Sequence, residues 1–194
     1  MTPAWVTIIV ALATGLLATL IRTSHERAAE LRGRMLDAAD EFAAAVVGAL
    51  HVARNTSGDI LDARDDDLLI DAEGNLLPEI RLLINDAGAA VDEAQSRAAR
   101  VHLLFDDQSP TGVLTTEIVT RLRIIEFVLR QWPRSVTEHG ARQQYSHNFE
   151  RVVEAELEFS RAALQRLRAT WWRSAWGTAR ASTLALRRKL RGSE

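Results

Sequence analysis

The chain contains no cysteine, so it has no disulfide staple and no thiolate for metal or redox chemistry. Its single lysine is Lys189, near the end, so no lysine-bearing phosphate loop exists. Ten glycines and four prolines are too few for a collagen-like or low-complexity chain. G-x-S-x-G, H-E-x-x-H and G-x-G-x-x-G are all missing. His25-Glu26 lacks the second histidine that a zinc helix needs. No window alternates apolar and polar residues for long enough to read as a strand, so the fold class is all-α. What remains is 194 residues, 47% apolar and 26% charged, an ordinary composition for one domain with an appendage.

Charge is also missing from Thr2 to Ile21. Ala4 to Ile21 is an 18-residue run of mostly Ala, Val, Ile, Leu and Thr. As a helix it is roughly 27 Å long, close to the ~30 Å of a bilayer's hydrocarbon core. A signal peptide would carry a basic start and a small-x-small cleavage site, and neither is present. A buried helix of a soluble domain would not be apolar all round at a terminus. The run reads as a transmembrane anchor over residues 1–22, with Trp5 at the headgroup level. Arg22, Arg27, Arg32 and Arg34 follow it, so the positive-inside bias puts the N-terminus outside and the C-terminal domain in the cytoplasm. Thr7, Ala11, Gly15 and Ala18 share one stripe of this helix, a small-residue face suited to helix association and a homodimer.

Residues 23–169 read as an antiparallel four-helix bundle with coiled-coil-like packing. Leu31, Met35, Ala38, Phe42, Ala45, Ala49 and Val52 step by three and four. Ile80, Ile84, Ala87, Val91, Ala94, Ala98, Val101 and Phe105 do the same. No strong stop separates Ile21 from Leu31, so the first helix runs on from the anchor. Ser109-Pro110 starts a third helix with inner residues Leu114, Ile118, Leu122, Ile125 and Leu129. Trp132-Pro133 ends it, because the residue before proline is pushed out of the α region. A capping box, Ser135-x-x-Glu138, opens a fourth helix with Tyr145, Phe149, Val152, Phe159, Ala163 and Leu167 inside. Residues 55–75 read as an acidic connection containing Asp65, Asp66 and Asp67, with a short helix around Leu68 to Ile70.

The near-neutral total conceals a segregation of charge. From Asp59 to Asp107 there are 13 acids and 4 bases; from Arg161 to Glu194 there are 9 bases and one acid. The tail, residues 170–194, reads as a basic amphipathic helix. Trp171, Trp172 and Trp176 suit a membrane interface, and Arg173, Arg180, Arg187, Arg188, Lys189 and Arg191 suit anionic headgroups. Nucleic acid is the less favoured partner, since no reader motif accompanies the basic residues.

The best constellation for chemistry is His147, Glu150 and Glu154 on the fourth helix. A histidine and a glutamate three apart can reach one metal, which makes a membrane-tethered enzyme or metal-binding bundle the alternative reading. Di-iron bundles need Glu-x-x-His on two helices, however, and neither His51 nor His102 has an acid three residues before it. Both histidines border apolar positions, so partial burial with a satisfied hydrogen bond is expected of them. A calcium loop with its glycine at Gly74 would put Leu69 at the first ligand position, which needs oxygen. The reading therefore assigns no catalytic residue, metal or cofactor. It expects a scaffold or regulatory module with an unknown protein partner and membrane lipid beneath its tail. In a further reading, the acidic connection docks a basic partner.

Overall fold

The computed structural model describes the backbone of residues 4–65, 69–71, 75–134 and 138–191. It describes side chains from 22 to 169 within those ranges, except 65, 134 and 138. Four helices follow in order: α1 Ala4–Asp65, α2 Pro78–Leu104, α3 Pro110–Gln131 and α4 Glu138–Arg191. A 3-10 turn, Trp132–Arg134, follows α3. Among the described residues the only β pairing is an isolated bridge between Ile70 and Leu76. The chain divides into two compact units: Met35–Leu164, and a second made of Met1–Arg34 with Gln165–Glu194.

The first unit is an up-and-down bundle. Glu41 of α1 meets Arg97 and Arg100 of α2, and Thr56 donates to the Leu83 carbonyl. Arg123 of α3 meets Asp92 of α2 at 2.5 Å. Arg151 of α4 lies 3.5 Å from Glu117 of α3, and Arg121 of α3 reaches Asn148 of α4 at 3.2 Å. Phe42 of α1 and Phe159 of α4 meet edge to face. Along every pair one residue number rises as the other falls, so each helix is antiparallel to the next and α4 returns beside α1.

Local chemistry sets the helix ends. Pro78 and Pro110 take the first helical positions, where no backbone donor is needed. The Ser109 hydroxyl accepts from Gly112 N at 3.1 Å and caps α3. A side chain on Gly112 would meet the Asp106 carbonyl at 2.5 Å and Asp107 Cα at 2.8 Å, so the α2–α3 turn requires glycine there. Pro133 ends α3, but not by driving Trp132 out of the α region. Trp132 keeps φ −55° and ψ −47°, is almost fully buried, and enters the 3-10 turn.

The α2 seam is as the spacing predicts, with Ile80, Ile84, Ala87, Val91, Ala94, Ala98, Val101 and Phe105 all buried. On α1 the seam slips by one residue: Val46 and Ala53 are buried, while Ala45 and Val52 are half-buried. Leu31, expected inside, is 47% exposed. In α3 and α4, Leu114, Phe149 and Leu167 are half-buried, and Thr115, Asn148 and Ala155 take interior places instead.

The expected connection at 55–75 is shorter than its composition suggests. Asn55 to Asp65 continues α1, with Thr56, Ser57 and Ile60 buried. The Ser57 hydroxyl donates to the Arg54 carbonyl at 2.8 Å, so a residue that reads as a turn former is satisfied within the helix. The 66–68 segment, and with it Asp66 and Asp67, lies outside the described residues, as do the Asp65 side chain and the Ser135–Glu138 capping box.

Candidate functional site

The residues chosen for membrane contact fall largely outside the described side chains. The backbone is helical from Ala4 and up to Arg191. The side chains of Thr7, Ala11, Gly15 and Ala18, and of Trp171, Trp172, Arg173, Trp176, Arg180, Arg187, Arg188, Lys189 and Arg191, lie outside the described residues. Among the described residues, no helix is long and apolar enough to cross a membrane.

His147, Glu150 and Glu154 are all exposed on α4. Glu154 accepts from Arg151 at 2.9 Å. His147 and Glu150 border a surface groove of about 400 Å³ with His139, Arg142, Gln143 and Ser146. Every one of these lining residues comes from the same helix. Among the described residues no three His, Asp or Glu side chains converge to hold a metal. His51 and His102 are held by different partners. His51 is exposed and pairs with Asn55 at 3.2 Å, so the expected burial fails for it. His102 is half-buried with its Nδ1 2.7 Å from Asp107.

That second contact builds a pocket the periodicity did not reveal. His102 sits in the last turn of α2, and Asp107 lies in the turn that Gly112 and Ser109 hold tight. Together with Gln108, Val113, Thr116 and Glu117 they border a cleft of about 590 Å³. Another cleft, of about 400 Å³, lies at the other end of the same two helices between Arg81, Asn85, Arg130 and Gln131. Arg81 there donates to the Leu76 carbonyl, and Arg130 is held by Glu126 at 2.9 Å.

Charged groups otherwise serve as struts. Glu126 is only 12% exposed and lies between Arg123 at 2.7 Å and Arg130. Arg123 also contacts Gln95 and Asp92, and its hydrogen bonds to Glu126 and Asp92 raise its pKa further. Arg97, bridging Glu93 and Glu41, is raised for the same reason, Glu93 contributing most. These groups join neighbouring helices and leave their charges matched.

No known protein family, curated protein or solved structure matches the chain. The interior offers Tyr145, packed on Trp132 at 5.5 Å and on Phe149 at 5.8 Å. Burial pushes its phenol above the usual range, opposed by the nearby Ser57 hydroxyl and Arg54 charge, and the phenol oxygen finds no hydrogen-bond partner among the described residues.

Proposed function

We propose that the chain is a membrane-tethered helical bundle that acts by protein–protein contact, as a scaffold or regulatory module. Residues 4–21 anchor it, the bundle works in the cytoplasm, and the basic tail lies on the anionic lipid surface. The observation that carries the reading is the uncharged 18-residue run at the head of α1, a helix that continues without a break into the bundle. The tail belongs to the same chain as the run, so a membrane that holds the run keeps the tail at high effective concentration near lipid. Basic residues cost about 2.5–3.5 kcal/mol each at the centre of a bilayer, so the tail belongs at headgroup depth. There each contributes about 1 kcal/mol of attraction at low salt. The exposed charge of the bundle, paired helix to helix, suits contact with proteins better than enclosure of a small substrate.

Fractionation tests this. Full-length protein and a chain beginning at Arg22 are washed from membranes with carbonate and with high salt. The reading predicts that the full chain stays in both pellets and that the shortened chain is released by salt. Full-length protein in the carbonate supernatant would remove the anchor. Binding of the shortened chain to neutral vesicles as strong as to anionic ones would remove the electrostatic role of the tail.

A further inference from the structure

The side of α1 and α4 turned away from α2 and α3 carries an apolar stripe that the bundle does not cover. At 100° per residue, Leu36 and Val47 lie about 120–140° around α1 from the buried Phe42. Glu41 and Thr56 meet α2 on the opposite hand of α1, while Ser57 turns to Tyr145 of α4. On α4, Val153, Leu157 and Leu164 lie about 100–140° around from buried Val152. Asn148 and Arg151 meet α3 on the opposite hand. Both stripes therefore open on one face. The five side chains are between 39% and 56% exposed.

The Phe42–Phe159 contact and the approach of Ser57 to Tyr145 fix the levels along this face. Leu36 stands level with Leu164, Val47 with Val153, and the Ala43–Ala44 turn with Leu157. The charges at its margin follow the same rule. Asp40 is level with Arg161, and His51 with Glu150. All four are near the outermost line of their helices by the same angular count. No ion pair among the described residues engages Asp40, Glu150 or Arg161.

We propose that a second copy of this chain docks on this face, related to the first by a twofold axis parallel to the helices. That rotation lays α1 of each copy on α4 of the other without changing level. Leu36 then meets Leu164, Val47 meets Val153, Asp40 meets Arg161 and the His51 ring meets the Glu150 carboxylate, each contact made twice. From Leu36 to Gly58 the face is about 34 Å long. Two helices wide, it covers roughly 700 Å² per copy, near the ~800 Å² per partner of a standard interface. A lipid surface would leave the acids Asp40 and Glu150 without partners, whereas a second copy answers both. The proposal is independent of the membrane anchor.

The test uses the full chain in detergent and two charge variants, Asp40→Arg and Arg161→Asp. Each variant alone brings like charges together twice and is expected to shift from dimer to monomer mass in sedimentation. Mixed in equal amounts, the two variants restore both opposite-charge contacts, and the dimer mass returns. Leu157→Glu, with helicity unchanged by circular dichroism, weakens the dimer by about a hundredfold, since each of two sites loses an apolar contact. A second readout uses the absence of native cysteine. A mixture of Val47→Cys and Val153→Cys chains cross-links on oxidation, and Leu103→Cys, far from the face, does not. Monomer mass for the unaltered chain overturns the proposal. So does a dimer indifferent to all three variants, which would point to association through residues 7–18 instead. Recovery of a different protein cross-linked at Val47, with no second copy, overturns it as well.

Discussion

Phe42 and Phe159 meet with ring centroids 5.1 Å apart and planes inclined at 70°, and this contact fixes the level at which α4 returns along α1. Both rings are almost fully buried. Phe42→Ala removes a large side chain from a site with little freedom to collapse. It is expected to cost about 3–5 kcal/mol in denaturant unfolding. Val47→Ala, at a site 56% exposed, is expected to stay within about 0.5 kcal/mol in the monomer.

Gly112 and Gly48 make opposite predictions. Backbone atoms at 2.5–2.9 Å await any side chain at Gly112. Gly112→Ala must open the α2–α3 turn and is expected to destabilise by about 1–3 kcal/mol. Nothing lies within 4 Å of the corresponding position at Gly48, which sits inside α1. Gly48→Ala is expected to stabilise by about 0.5–1 kcal/mol. Thermal melts of the two variants check both signs.

Ion pairs differ by their burial. Glu41, which joins α1 to α2, is 38% exposed, so Glu41→Gln is expected to cost less than about 1 kcal/mol and to lose most of that in high salt. Glu126 is 12% exposed between two guanidinium groups. Glu126→Ala is expected to cost about 1–3 kcal/mol, because it strips charge-assisted hydrogen bonds from Arg123 and Arg130 together.

Tyr145 is the only tyrosine, so its ionisation is read without interference by absorbance. Burial raises its pKa in the folded chain above the ordinary value of 10.0. The unfolded chain then releases the proton first. Its contribution to stability is complete below pH 10 and is lost as pH climbs through and beyond that value. Tyr145→Phe is expected to flatten the fall in stability between neutral pH and pH 11, measured by urea titration at each pH.

The architecture was legible in the sequence where apolar and charged residues alternate cleanly. In α2 each seam residue has charged or polar neighbours, and all eight expected positions are buried. In α1 the pairs Ala45-Val46 and Val52-Ala53 are apolar on both sides of the seam. Composition cannot choose between them there, and a helix of 3.6 residues per turn drifts from a strict 3.5 repeat. Asn55 to Ser57 read as a break because their side chains compete for backbone bonds, and Gly58 because its backbone freedom disfavours a helix. Tertiary contacts decide otherwise: Thr56 finds the Leu83 carbonyl, and Ile60 fills the core. The His102–Asp107 cleft was not legible, since it depends on how one turn brings two helix ends together. The outer face of α1 and α4 was equally hidden, because its residues become neighbours only once the level of Phe42 against Phe159 is known.

The most direct measurement places one cysteine at Leu103, which is 85% exposed on the bundle, in the otherwise cysteine-free full chain. Cells expressing it are treated with a membrane-impermeant maleimide before and after permeabilisation, and carbonate-washed membranes are then analysed for label. The account predicts protein in the washed membranes that is labelled only after permeabilisation. Label acquired by intact cells, or labelled protein in the carbonate supernatant, would contradict a bundle tethered on the cytoplasmic side.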